Sequence, residues 1–355
     1  MKRRGGLAGQ LLARAAAGLD RAVTLAVRAA SPGPEDEPSL GIGHESRMLA
    51  LRGMLARYAE LPLERFFPEP RAIEPSLRER GSLGGLARTD VAWPSLDETF
   101  LPELHEAYRR TLENHVAVAR LLTRGTPRPV AVLIHGYLLG RPSVEERVWP
   151  IQKLSSLGFD VALLMLPFHA ARADPQRAGR PEFPSSDPRI ASEGFRQVVT
   201  ELRELVRWLR GRGHPLAGVM GMSLGGYTAA LAATVTAELD FVVPIIPLAS
   251  LPDFALEHGD LPEAPEPRAL EHALLEEAYR TVSPLAREPL VPGDRMLIVG
   301  ARADRITPLR HARRLSAHFH APLVTFPGGH LFQLGRGEAF ASVAELLTNV
   351  RSRTA

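Results

Sequence analysis

The chain has 355 residues and a mass of 38.7 kDa, long for one domain but within the range of large α/β units. Its 45% hydrophobic and 23% charged composition excludes wholesale disorder and fibrous structure, and the absence of cysteine excludes disulfides, a thiolate nucleophile and Cys-ligated zinc. An isoelectric point of about 9.6 accompanies a net charge of only +3, because 43 basic residues face 40 acidic ones, so the charge balance argues against nucleic acid as a partner.

The front end carries most of the charge asymmetry. Lys2, Arg3, Arg4, Arg14, Arg21 and Arg28 oppose Asp20 alone, and Leu7, Leu11, Ala15, Leu19, Val23 and Val27 recur every fourth residue. That spacing predicts a basic amphipathic helix over residues 1–30, separable from the catalytic body. It would dock on the body, lie on a membrane surface or be removed as a leader, although Arg14 interrupts the apolar region that a leader needs. Without an uncharged apolar run of roughly 20 residues, no span of a bilayer is predicted. The expected location is the cytoplasm, with peripheral membrane contact through residues 1–30 as the variant.

Residues 31–127 read as a linker and helical extension. Ser31 to Pro38 is an acidic, breaker-rich linker, His44 to Leu61 reads as a helix, and 62–94 could hold short edge strands. A long helical pattern is predicted from Ser95 to Arg124, with Asp97 and Glu98 in its first turn. From residue 128 to 350 short β-rich runs alternate with helical stretches, which predicts a mostly parallel twisted sheet covered by helices on both faces. Strands are predicted at 130–134, 159–166, 215–220, 241–246, 295–299 and 322–326, and helices at 144–157, 190–210, 224–237, 308–318 and 337–350. The Pro-rich interval 251–293 breaks this rhythm and is predicted to be a lid insertion.

Chemistry-bearing residues gather at strand ends. Gly221-Met222-Ser223-Leu224-Gly225 lies between a strand and an Ala-rich helix, where a sharp turn needs small residues on both sides and the helix N-terminus favours a developing anion. Val130 to Ile134 runs into His135-Gly136-Tyr137. A tetrahedral oxyanion needs two donors, which the amides of Tyr137 and Leu224 would supply, with His135 shaping the loop. Asp304 follows the strand at 295–299, and His330 follows Pro327-Gly328-Gly329 after the last strand. Asp253, after the strand at 241–246, is the competing position for the acid. His169 lies in a loop after a strand, and the alternation of His318 and His320 lacks the nearby carboxylates that a metal site would need.

Together, in this chain order, His135-Gly136, Gly221-Met222-Ser223-Leu224-Gly225, Asp304 and His330 resemble the α/β-hydrolase fold superfamily over about residues 128–350. Leu166-Pro167-Phe168-His169-Ala170-Ala171-Arg172 resembles, more loosely, the lineage of α/β-hydrolase-domain-containing protein 18. The resemblance implies an α/β-hydrolase fold with Ser223 as nucleophile, His330 as general base, Asp304 as its acid and the Tyr137 and Leu224 amides as oxyanion hole. It implies a serine hydrolase that cleaves carboxylic esters, small or lipid-like, through an acyl-enzyme, with no cofactor and no metal. Thioesters and peptides are open as alternatives on the same triad, as is a noncatalytic binding protein that retains the fold.

Overall fold

The computed structural model describes residues 17, 18, 20, 43–96, 98–177 and 180–353; most of the predicted front helix and all of the acidic linker lie outside the described residues. In chain order the elements are α1 (His44–Tyr58), β1 (Ser76–Leu83), β2 (Leu86–Pro94), α2 (His105–Arg109), β3 (Val116–Thr123), β4 (Val130–Ile134), α3 (Pro142–Val148), α4 (Ile151–Ser156) and β5 (Asp160–Leu164). There follow α5 (Pro188–Gly211), β6 (Ala217–Met222), α6 (Leu224–Val235), β7 (Val242–Ile245), α7 (Leu251–His258), α8 (Pro265–Ala278), β8 (Ile298–Ala301), α9 (Leu309–His318), β9 (Leu323–Phe326) and α10 (Arg336–Ser352). No helix among the described residues is long and apolar enough to cross a membrane.

The strands form one nine-stranded sheet in the order β1-β2-β3-β5-β4-β6-β7-β8-β9. Strands β4 to β9 run parallel, while β1, β2 and β3 add an antiparallel edge beside β5. Both faces are covered, and the period-2 geometry of a strand divides each run between them. In β4, Val130, Val132 and Ile134 pack with α5, α6 and α9, whereas Ala131 and Leu133 pack with α4 and α10. Hence a strand bordered by helices on both sides reads as an unbroken apolar run.

Three expectations are corrected. The pattern from Ser95 to Arg124 is not a long helix: it holds only short helical turns and α2, and then β3. In β3 the side chains alternate toward the core, Ala117, Ala119 and Leu121 on one face, and the strand is paired on both sides by β2 and β5. Sheet pairing there outweighs the helix preference of Ala, Leu and Arg. Residues 76–123, assigned from the sequence to an extension outside the body, therefore belong to the same sheet as residues 128–350. The helix predicted at 144–157 is two helices, because Pro150 cannot continue the first.

The interval 251–293, predicted to be a lid insertion, folds as α7, α8 and a short helical turn. Ser250 caps α7 by accepting the Asp253 N–H (3.2 Å), and Gly259 ends it with φ 71°. This interval packs on α1 and α5 and is tied to α9 by Asp253–Arg314 and Glu257–His311 contacts.

Helix α5 joins the antiparallel edge to the rest of the fold. Its stripe Glu193, Gln197, Glu201 and Glu204 recurs at helical spacing and is almost completely buried. Each member is satisfied by the preceding segment: Glu193 accepts the Leu101 N–H, Gln197 the Tyr108 hydroxyl (2.6 Å), and Glu204 the Trp93 indole N–H (3.0 Å). Glu201 accepts from Ser95 and receives both terminal nitrogens of the fully buried Arg172 at 2.7 Å. Arg172 also donates to the carbonyls of Met165 (3.0 Å) and Asn114 (3.2 Å), so it clasps the loop after β5. Removing one partner of such a pair leaves the other charge buried and uncompensated. Arg172→Ala is expected to lower stability by about 3–5 kcal/mol, read as an earlier urea midpoint, with Arg172→Ala/Glu201→Ala losing less than the two single changes combined.

Candidate active site

β6 ends at Met222 and α6 begins at Leu224, which leaves Ser223 alone on the turn with φ 58° and ψ −114°. Few non-glycine residues take that conformation, and it is tolerated only where surrounding contacts enforce it. Here the Ser223 N–H donates to the Ile245 carbonyl (2.9 Å), and the Ser223 carbonyl accepts from Tyr227 (3.0 Å). The flanking glycines are required by space. A Cβ on Gly221 would lie 1.8 Å from the Gly225 carbonyl oxygen, and one on Gly225 would lie 2.2 Å from that of Ile134. Helix and strands touch backbone to backbone, and Ser223 stands partly exposed above them.

The loop after β4 crosses this turn. A Cβ on Gly136 would lie 3.4 Å from the Ser223 Cβ, so Gly136-Tyr137 passes directly beside the serine. His135 fixes the loop from below: its Nδ1 contacts the Gly136 carbonyl (2.7 Å), and its Nε2 accepts the Leu166 N–H (3.0 Å). Nδ1 therefore carries the proton. Burial lowers the His135 imidazole to about 4, so it is neutral at ordinary pH. Gly140, at φ 109°, leaves room for this ring, since a Cβ there would lie 2.5 Å from Nε2.

His330 reaches Ser223 from the loop after β9. Its Nε2 is 2.9 Å from the Ser223 Oγ and its Nδ1 is 2.9 Å from the Asp304 Oδ2. Asp304 has a fully buried side chain. Its Oδ1 accepts the N–H groups of Ile306 (2.9 Å) and Thr307 (2.7 Å), and its Oδ2 also lies 3.0 Å from the Thr307 hydroxyl. Thr307, which sequence reading missed, is 3.1 Å from the His330 Nδ1 as well; Thr-Pro after an aspartate was the available signal. Ser223, Asp304 and His330 are thus brought together, with Gly136, Tyr137 and Leu224 beside them.

Asp253, the competing acid, lies elsewhere, bonded to His272 (2.9 Å) and Arg314. Burial alone would raise its carboxyl, but these contacts outweigh burial and hold it below its ordinary value. Asp253, His272 and Glu276 place ligand atoms within 4.8 Å of one another, and the Arg314 guanidinium already occupies the Asp253 carboxylate. His169 is fully buried, its Nδ1 on the Pro167 carbonyl (2.8 Å) and its ring packed against His135 and Tyr137. His318 and His320 hold no metal-ligating partner among the described residues; His318 Nε2 meets the Arg287 carbonyl.

Comparison with known proteins supplies the frame. The family model described as Alpha/beta hydrolase domain containing 18 matches residues 157–282. Acetyl Xylan Esterase 1 from Thermoanaerobacterium sp. JW/SL YS485 shares the architecture with a TM-score of 0.56 at 15% identity, over 86% of this chain and 94% of that one. The chain has the α/β-hydrolase fold. An acetyl xylan esterase from Paenibacillus sp. R4 matches this chain with a TM-score of 0.53 at 18% identity, over 88% of this chain and 97% of that one. Uncharacterized protein Rv2627c of Mycobacterium tuberculosis (strain ATCC 25618 / H37Rv) is 34% identical over 221 residues, which are 61% of this chain and 53% of that protein. The chain thus spans about half the length of the curated relatives it matches.

The close approach at the turn makes a test of its own. Gly225→Ala would drive a Cβ against the carbonyls of both Ile134 and His135, neither of which can retreat without dislodging β4. A loss of at least about 1–3 kcal/mol is expected from overpacking, measured by chemical unfolding. An unchanged midpoint would show that β4 and α6 can separate.

Proposed function

We propose that this protein is a serine hydrolase that cleaves carboxylic esters through an acyl-enzyme on Ser223. The observation that carries the reading is the continuous relay in which one imidazole, His330, joins the Ser223 hydroxyl and the Asp304 carboxylate at 2.9 Å on each side. His330 takes the proton as Ser223 Oγ attacks the carbonyl carbon, and the amides of Tyr137 and Leu224 receive the oxyanion. Collapse of that intermediate breaks the ester C–O bond, and His330 returns the proton to the departing alkoxide. Water then enters by the reverse sequence: His330 deprotonates it, the acyl carbon passes to the new oxygen, and Ser223 recovers its proton. Asp304 holds Nδ1–H toward itself, so Nε2 faces the serine.

An ester is favoured over a charged or strongly polar substrate by the rim. Tyr137 and Leu138 follow Gly136, which passes beside Ser223, and Leu331 and Phe332 follow His330 in sequence; all four are exposed, an apolar surround suited to an acyl chain or a lipid-like ester. The two solved neighbours are named as acetyl xylan esterases, which agrees with ester chemistry. The insertion would form one wall of this rim, since His258 in α7 meets the Ile306 carbonyl (2.9 Å) within the Asp304 loop. Thioesters and peptides share the same first step, and a panel of esters, thioesters and amides of graded acyl length separates them.

Ser223→Ala is expected to abolish labelling by a fluorophosphonate probe and nearly all ester hydrolysis while the protein stays folded. Wild-type protein that neither labels nor hydrolyses any member of the panel would instead favour a binding protein that retains the fold. Asp304→Asn should slow turnover by up to about 10⁴-fold, because an amide cannot accept at both positions that the carboxylate fills. Asp253→Asn should leave turnover nearly unchanged. The opposite ranking, read in steady-state kinetics, would transfer the acid to Asp253.

A further inference from the structure

A third carboxylate sits between the loops of Asp304 and His330. Asp20, 310 residues before His330 in sequence, is fully buried. Its Oδ2 accepts the backbone N–H of His330 (2.8 Å) and, more loosely, that of Arg305 (3.3 Å); its Oδ1 accepts the N–H of Leu331 (3.0 Å). One side chain from the front of the chain therefore bridges the backbone next to Asp304 and the backbone of His330 itself. We propose that Asp20 is a positioning residue: it fixes the His330 loop so that Nε2 meets the Ser223 Oγ.

Gly329 gives this contact an independent footing. A Cβ there would lie 2.7 Å from the Asp20 Oδ2 and 3.2 Å from its Cγ, so the backbone before His330 is bare where the carboxylate enters. The Gly328-Gly329 pair of the loop has two separate uses. Gly328 closes the turn, its N–H bonded to the Leu334 carbonyl (3.0 Å), and Gly329 admits Asp20. Further support comes from the Ala303 N–H, which donates to the Gly328 carbonyl (3.0 Å), from the Gly329 N–H on the Phe332 carbonyl (3.0 Å) and from the Gln333 Nε2 on the His330 carbonyl (3.2 Å). The apex, with His330 and Leu331, is gripped from above by Asp20. A displacement of about 1 Å at a reacting group can cost on the order of 10²-fold in rate, which is the leverage such a grip has.

On this proposal Asp20, within the residues 1–30 that the sequence predicts to be separable from catalysis, acts on the site. It also gives a use to the one carboxylate among six basic residues there, since a carboxylate accepts backbone N–H groups at both of its oxygens. An asparagine is the same size but can accept at one position only, and its amide nitrogen would face a backbone N–H. Asp20→Asn therefore breaks one arm of the grip without opening a cavity.

The inference rests on the serine-hydrolase reading, and the experiment keeps the two apart. Full-length wild type, Asp20→Asn, Asp20→Ala, Gly329→Ala and Asp20→Ala/Gly329→Ala are compared with a soluble short-chain ester. The expected result is a fall in kcat on the order of 10²-fold in each variant with KM within about twofold. The double variant should be no slower than the slower single, because both changes remove one contact. The His330 Nδ1 proton resonance should shift or broaden in every variant, while circular dichroism stays that of the wild type. A purely structural tether would lower stability and leave kcat and the resonance in place, and that outcome overturns the proposal. If the wild type proves inactive on every ester, the hydrolase reading fails, and the resonance alone decides whether Asp20 positions His330.

Discussion

The backbone contact between β6 and α6 is the constraint on which the site depends. With 1.8 Å separating a would-be Gly221 Cβ from the Gly225 carbonyl oxygen, the chain turns from strand to helix in one residue, and that residue must take a positive φ. Ser223 carries the strain because Ile245 and Tyr227 hold its N–H and carbonyl on either side. Ile246, the residue after that Ile245 anchor, is itself at φ 42°, and Leu138 in the facing loop is at φ 65°. Neither is a residue that favours such a conformation, so strained backbone collects at the carboxyl ends of the strands. The sheet and its two cores supply the stability that holds it there.

A second layer of structure keeps the loops around the serine in place. His135 links the loop after β4 to the loop after β5 through the Leu166 N–H, and Arg172 clasps that second loop onto Glu201 of α5. The antiparallel edge completes the layer, since Asn114 accepts the Phe168 N–H (3.0 Å) and Ser95 hydrogen-bonds with Glu201 and Gln197. Nearly every polar group in this layer is paired, the condition under which a buried polar network stiffens a fold. The segment before β4 is thus the support of the loops that flank the serine.

Those facts decide what could be read in advance. The parallel strands were legible because burial on both faces leaves an uninterrupted apolar run, and Gly221 and Gly225 were legible because the turn admits little else. Asp304 and His330 were legible as residues just past strand ends, though only the folded chain shows that they meet. The antiparallel edge was not. In β3, Arg120 interrupts the apolar run and pairs with Asp90 and Glu146 across neighbouring elements, so composition suggests a helix where the pairing makes a strand. The polar stripe of α5 misleads in the same way: glutamates at helical spacing read as a solvated face, and here they are as buried as the apolar positions of the helix. Asp20 carried no local signal, because its partners are backbone groups some three hundred residues away.

Three histidines crowd the carboxyl ends of these strands, and their surroundings assign them different work. His135 spends both ring nitrogens on loop backbone, and burial keeps it neutral at ordinary pH. His169 is buried as deeply, and burial together with the neighbouring His135 holds it well below the ordinary imidazole value; its Nδ1 is committed to the Pro167 carbonyl. Neither faces a hydroxyl and a carboxylate at once. His330 does, and it sits on a loop whose apex is held by hydrogen bonds to backbone, leaving both ring nitrogens for chemistry. The two interior imidazoles are neutral struts beneath the loops, and the outer one is aligned between an acceptor and a donor. Selection among chemically identical side chains is thus made by which atoms are already occupied, and it leaves His330 as the imidazole that lies between the Ser223 hydroxyl and the Asp304 carboxylate.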